Sequence, residues 1–378
     1  MMREKVQKLV QRMVQSDSSQ NTLEVALIYQ DFLLEHGIDA KIDEYSQGQA
    51  NVEARLGSSN SDSIVISGHL DTVPTGKIEE WNHKPFSGHI ENGFMYGRGS
   101  CDMKSGTGVL AGVLAELVSQ EADLSYEVIL AATAEEETGL VGAKHFTNNG
   151  IMNHASHLLI TEPTGLGVAI MEKGVMWVEI SAHGKQAHGS RPDLGHNAIE
   201  GLARLLPELY AAIPEKTIPE LGQTTLNVGL ISGGTVANVV PGHAVVTCDI
   251  RLTPGVEGEE VTTALQKIID EKSTPEIRYE LDIQTALNAP ALLTADRKFG
   301  ELLAENNNKY TGTKPELGGM YYATDGAAFM EHKTISFAIY GPGSTELLHQ
   351  TNERVNLAEI DISRKVVRDT ILSLEPDN

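Results

Sequence analysis

Three short apolar runs constrain this chain more than any other feature. Ile64-Val65-Ile66, EVILAAT at 127–133 and HLLIT at 157–161 are strand-length, and each is followed within a few residues by a histidine or carboxylate: His69, the Glu135-Glu136-Glu137 triplet and Glu162. Helical patterns separate them, TGVLAGVLAELVSQ after the first and a second helix running to about residue 147 after the triplet. Strands alternating with helices predict an α/β fold, a mostly parallel sheet flanked by helices. In such sheets ligands bind where loops leave the carboxyl ends of the strands, which is where these polar residues fall.

The remainder extends the pattern and interrupts it once. Residues 1–45 predict an amphipathic helix, a second helix through VALIYQDFLLEHG and the alternating strand IDAKIDEY. A long irregular loop spans 70–98, and such loops in compact domains tend to be functional. From about 174 the texture changes: VMWVEISAHG, TTLNVGLISGG and HAVVTCDIRLTP alternate as strands, and HNAIEGLARLLPELYAAI and EEVTTALQKIIDEKS as helices. That β-α-β-β-α-β order predicts an inserted ferredoxin-like α+β domain over 174–284, within an α/β domain built from 1–173 and 285–378.

Composition excludes several roles. A formal charge of −23 over 378 residues, with no basic cluster, argues against nucleic-acid and anionic-membrane partners. No stretch approaches the roughly 18 apolar residues of a membrane span, and the N-terminus lacks the form of a signal peptide, so a cytoplasmic location is expected. Two cysteines far apart, Cys101 and Cys248, do not make a disulfide framework or a cysteine zinc site; both are expected to be buried.

Gly68-His69-Leu70-Asp71 places an imidazole and a carboxylate together at a strand end, a pairing that suits a metal ligand and the group orienting it. Asp102, Glu137, Glu162 and His349 would complete the mixed nitrogen and oxygen donor set that a pair of divalent ions requires. Each also has an ordinary reading: His69 as a hydrogen-bonded loop residue, Asp102 as the cap of the next helix, the glutamates as a solvated helix start, Glu162 in a turn, His349 at the surface.

Longer motifs carry a family resemblance. Ser67-Gly-His-Leu-Asp-Thr-Val-Pro74, Trp81, Pro85-Phe86, Tyr96-Gly-Arg-Gly-Ser-Cys-Asp-Met-Lys-Ser-Gly106, Glu135-Glu-Glu-Thr-Gly139, Thr161-Glu-Pro-Thr164 and His349-Gln-Thr-Asn-Glu353 resemble, in order and spacing, the di-zinc amidohydrolases. That family includes succinyl-diaminopimelate desuccinylase, acetylornithine deacetylase and glutamate carboxypeptidase. The resemblance implies a catalytic α/β domain and an inserted domain used as lid and dimer interface. It implies two Zn2+ per chain, with Co2+ and Mn2+ as alternatives: His69 and Glu162 on one ion, Glu137 and His349 on the other, and Asp102 bridging. Asp71 would accept from the second ring nitrogen of His69, and Glu136 would be the general base. The family usually writes Asp-Glu-Glu where this chain has Glu135-Glu136-Glu137, so a one-residue slip would make Glu135 the base.

From the inserted domain, the resemblance implies that His188 reaches the active site of the partner subunit in a homodimer and stabilises an oxyanion. Asn238 and Arg251 resemble positions that hold the substrate carboxylate, although an arginine on a strand also suits a surface ion pair. Gly341, in Gly341-Pro-Gly343, lacks the neighbours of a phosphate loop and is expected to shape contacts with the substrate backbone. The substrate implied is an N-acyl amino acid, first N-succinyl-LL-2,6-diaminopimelate. Against it, Ala323-Thr-Asp-Gly-Ala-Ala328 lacks an arginine that desuccinylases carry in the corresponding loop, leaving Arg191 or Lys185 to hold a succinyl carboxylate. Acetylornithine deacetylase, aminoacylase and dipeptidase activities are the alternatives, and a metal-binding homologue without catalysis is the alternative of another class.

Overall fold

The computed structural model describes residues 1–57, 62–331 and 333–374, with the backbone only of 285–287. The chain forms two compact units, one of Met1–Met171, Leu293–Gly319 and the residues from Thr324 onward, the other of Glu172–Leu292 with Met320–Ala323.

The first unit is built on a sheet whose centre is parallel. Ser63–His69 lies between Glu127–Thr133 and Ala155–Ile160 and pairs in parallel with both, and Ser336–Ile339 continues the parallel run beside Ala155–Ile160. All seven residues of Ser63–His69 and all seven of Glu127–Thr133 are buried, which explains why these strands are uninterrupted apolar runs rather than alternating patterns. Antiparallel strands Gln49–Leu56 and Ala40–Ser46 extend one side. The Lys104–Ser119 helix packs between the Met2–Val14 and Leu357–Leu372 helices. Its apolar residues point all round because nearly the whole helix is buried.

Two glycines set how closely the elements approach the site. A Cβ at either Gly106 or Gly341 would overlap the carbonyl oxygen of Thr161. The helix start and the loop after Ser336–Ile339 thereby close on the segment carrying Glu162.

The second unit is a four-stranded antiparallel sheet in the order Thr225–Gly233, His243–Leu252, Gly174–His183, Arg278–Ala289. Two helices, Ala198–Ala212 and Gly258–Lys272, pack with it around Val178, Ile180, Leu202, Leu205, Val246 and Leu265. This is the ferredoxin-like strand order expected from β-α-β-β-α-β.

The long loop 70–98 is less irregular than its sequence suggests. It contains the hairpin His89–Glu91 and Phe94–Tyr96, turned at Asn92-Gly93 with φ of 50° and 82°. An Asn-Gly pair is a strong hairpin signal, but strands of three residues leave no alternation to read. No helix among the described residues is long and apolar enough to cross a membrane.

Candidate metal centre

The parallel register brings the three strand ends level, with His69 opposite Thr133 and Ser67 opposite Ile160. His69, the 135–137 turn and Glu162 therefore emerge at one edge. His69 is buried, with Nε2 3.1 Å from Asp102 Oδ1 and 3.7 Å from Glu162 Oε1. His349 Nε2 lies 3.0 Å from Glu137 Oε2 and 3.3 Å from Asp102 Oδ2. Asp102 thus turns one oxygen to each histidine, and each histidine has a glutamate of its own.

Asp71 is placed differently from the expectation. The contact to His69 Nδ1 comes from its carbonyl oxygen at 3.0 Å, with carboxylate Oδ1 at 3.6 Å. Its carboxylate accepts instead from the backbone N–H groups of Glu136 and Glu137, at 3.2 and 3.1 Å. One residue therefore orients the imidazole through its backbone and fixes the glutamate turn through its side chain.

Two ordinary readings are excluded. The Lys104–Ser119 helix is capped at Met103 with no side-chain cap, so Asp102 does not cap it. The glutamate triplet starts no helix, because the next one begins at Val141. Glu135 adopts left-handed backbone (φ 56°), as does His349 (φ 60°), a conformation that costs an L residue about 1–2 kcal/mol. Glu135 is held by the Tyr45 hydroxyl, which donates to Oε2 at 3.0 Å.

Glu353 is a supporting residue that the sequence did not single out. It is fully buried and accepts from the N–H groups of Gly99, Cys101 and Asp102 at 3.1, 2.8 and 3.0 Å, and from Arg98 Nη1 at 2.6 Å. One carboxylate therefore fixes the loop that presents Asp102. Arg98 also donates to Pro74 O at 3.3 Å and lies over the Trp81 ring, 5.3 Å from its centroid. The only sequence signal was Glu353's place at the end of the His349 motif. Buried Asp325 is the second such residue; its Oδ2 accepts from the Thr133 hydroxyl, and Oδ1 finds no partner among the described residues.

The electrostatics call for cations. Asp71, Asp102, Glu136, Glu137, Glu162 and Asp325 gather around two imidazoles. Burial pushes the carboxyls of Glu136 and Glu162 well above the usual range, with neighbouring carboxylates adding to it and His69 opposing. Burial likewise raises Asp325 to about 7. Burial also works against ionised Asp102, but its hydrogen bonds with His349 and His69 overcome this and hold its carboxyl well below the ordinary value. The bonds to Asp102 and Glu137 raise His349 to about 10. Buried carboxylates in excess of their partners are a donor set that divalent ions would neutralise. One donor atom each from His69, Asp102 and Glu137 lies within 4.8 Å of the others, so the residues fit metal ions.

The remaining residues fall into two groups. Gly341, in the first unit, uses both backbone groups internally: N–H donates to Thr164 Oγ1 at 3.1 Å, and the carbonyl accepts from Leu166 N–H at 3.2 Å. Close packing on Thr161, not an open backbone for substrate, explains the glycine. His188, Asn238 and Arg251 lie in the second unit. His188 is exposed, and its Nδ1 accepts from Ser190 N–H at 3.1 Å, so the neutral ring carries its proton on Nε2. Asn238 is exposed, and its carbonyl accepts from Gly189 N–H at 2.7 Å. Arg251 makes two bonds to Asp249, at 2.7 and 2.9 Å, the ion pair that the strand position allowed. Cys101 and Cys248 are both buried and unpaired, as expected.

Comparison with known proteins agrees with this geometry. Residues 65–373 match the family described as Peptidase family M20/M25/M40. A succinyl-diaminopimelate desuccinylase of Methylorubrum populi is 31% identical over 330 residues, 82% of each chain. A probable succinyl-diaminopimelate desuccinylase of Staphylococcus aureus is 26% identical over 399 residues, covering 96% of each. A metallo-carboxypeptidase of the M20 family from Sulfolobus solfataricus superposes with a TM-score of 0.80 at 20% identity, covering 96% of this chain and 97% of that one. With a match across most of its length and carboxylates and histidines gathered at the ends of its parallel strands, the chain belongs to the M20 family of metal-dependent peptidases and amidohydrolases.

Proposed function

We propose that the chain hydrolyses the amide bond of an N-acyl amino acid with two divalent ions, zinc first and Co2+ or Mn2+ as alternatives. The observation that carries this reading is Asp102, one oxygen facing His69 and the other facing His349. His69 and Glu162 would hold one ion, Glu137 and His349 the other, and Asp102 both. Bound there, the ions supply Lewis acidity and lower the pKa of water toward neutrality.

Glu136 takes the proton from the attacking water and returns it to the leaving amine. Its register is supported by Tyr45, which occupies Glu135, and by Asp71, which fixes the Glu136 and Glu137 amides. Burial keeps the Glu136 carboxyl basic against the acidifying effect of nearby cations. His188, whose Nε2–H has no partner among the described residues, would donate to the oxyanion from the partner subunit of a homodimer. A homodimer is supported by the edge strand Thr225–Gly233, which exposes Leu230 (70%) and Ile231 (60%). Asn238 and Arg251 would hold the substrate carboxylate, Arg251 by exchanging Asp249 for it. A cytoplasmic setting accords with the two free cysteines.

The first substrate is N-succinyl-LL-2,6-diaminopimelate, yielding succinate and LL-2,6-diaminopimelate for lysine and cell-wall precursor synthesis; the names of the similar proteins support it. A second reading rests on Ala327, a buried apolar residue of the short Gly326–Phe329 helix, at the position where a desuccinylase arginine is expected. Arg191 lies in the other unit and pairs at the surface with Asp193 at 2.6 Å, a partner it would have to exchange for a succinyl carboxylate. This favours a smaller or uncharged acyl group, as in acetylornithine or a dipeptide. Zinc-loaded protein assayed on N-succinyl-diaminopimelate, N-acetylornithine and dipeptides separates the readings. A higher kcat/KM on the succinyl substrate supports the first, and preference for acetylornithine overturns it.

A further inference from the structure

The hairpin in the 70–98 loop carries a second group of metal-binding side chains. His89 and Glu91 stand two residues apart on one strand and so share a face. His83, from the loop before it, stacks on His89 with ring centroids 4.1 Å apart, and its Nε2 lies 3.7 Å from Glu91 Oε2. One donor atom from each of the three lies within 4.8 Å of the others. Neither imidazole makes a hydrogen bond among the described residues, so their ring nitrogens are open to a ligand. Tyr96, paired with His89 across the hairpin, backs the His83 ring at 4.8 Å.

We propose that His83, His89 and Glu91 form a third divalent-cation site, distinct from the Asp102 centre, taking a borderline transition metal such as Zn2+. Two imidazoles and one carboxylate suit Zn2+ rather than Mg2+ or Ca2+, which prefer all-oxygen shells. Tetrahedral zinc, with ligands at about 2.1 Å, holds its donors about 3.4 Å apart. The exposed His89 and Glu91 side chains reach that spacing by rotation, which also unstacks the two rings. The open positions are left to water, and the net charge of −23 favours cation capture. The site fastens the loop to a hairpin whose second strand pairs with Arg354–Asn356, next to Glu353.

The test is zinc equilibrium dialysis with metal analysis on the full chain. Wild type should bind three ions, the third more weakly, while His89→Ala and Glu91→Gln should each bind two. Zinc added to Asp102→Ala should bind once and shift the imidazole nitrogen resonances of His83 and His89. Failure of the two-ion reading would look different: wild type would bind one ion, lost in His89→Ala. Equal zinc uptake by wild type, His89→Ala and Glu91→Gln across the titration overturns the third site, as does Asp102→Ala taking up no zinc.

Discussion

The polar residues at the ends of the parallel strands and those of the antiparallel unit are built on opposite terms. Around Asp102 the carboxylates are buried or half-buried, and several are braced: buried Glu353 by three amides and an arginine, buried Asp71 by two amides, half-buried Glu135 by Tyr45. In the second unit His188 and Asn238 are exposed, and Arg251 and Arg191 pair with aspartates two residues away. Buried, cross-braced charge fixes geometry at a desolvation cost that its hydrogen bonds offset in part and a cation would offset further. Exposed, locally paired groups are cheap to move and to exchange. Under the proposed function the contrast would divide reaction chemistry from substrate choice: the first set would hold the reacting centre in place, while the second would be free to adapt.

Substitutions can break that contrast. Glu136→Gln should lower kcat by about 10²–10⁴-fold with bound metal unchanged, read by steady-state kinetics beside metal analysis; retained turnover would return the base to Glu135. Glu353→Ala strips a buried arginine and three amides of their acceptor, and should lower unfolding stability by about 3–5 kcal/mol in urea titration. Arg251→Ala, in the looser region, should cost under about 1 kcal/mol yet raise KM about tenfold with kcat unchanged. A large stability loss there would make Arg251 structural.

The pH response of the metal-free protein is the smallest and finest of these effects. His349 is raised from 6.5 to about 10 by Asp102 and Glu137, so its contribution is full below 6.5 and lost as pH rises through about 10. Asp325, raised by burial from 3.8 to about 7, acts in the same direction at lower pH: its cost grows between about 3.8 and 7 and is constant above, which leaves His349 to govern the higher range. The melting temperature of the metal-free chain should therefore fall between pH 6.5 and 10. His349→Gln should flatten that fall, and zinc should reverse it by stabilising the deprotonated ligands.

Much of this was legible in the sequence because burial on both faces writes the parallel strands as apolar runs, and the ligand-type residues follow them directly. The ferredoxin-like order was legible because its strands alternate and its helices carry clear apolar stripes. What escaped was support from a distance. Glu353 and Asp325 matter through partners 255 and 192 residues away, Arg98 and Thr133, which no local pattern records. The share of Asp71 between its carbonyl and its carboxylate is likewise a matter of geometry. The three-residue strands at His89 and Phe94 are too short for periodicity, and only Asn92-Gly93 marked them.

The central claim is that Asp102 is shared by two ions. Anomalous diffraction at the zinc edge from crystals of the zinc-loaded protein tests it most directly. Two strong peaks about 3.5–4 Å apart, with Asp102 between them, His69 and Glu162 on one and Glu137 and His349 on the other, are the expected result. A single peak at this centre, or a pair that Asp102 does not bridge, would contradict it.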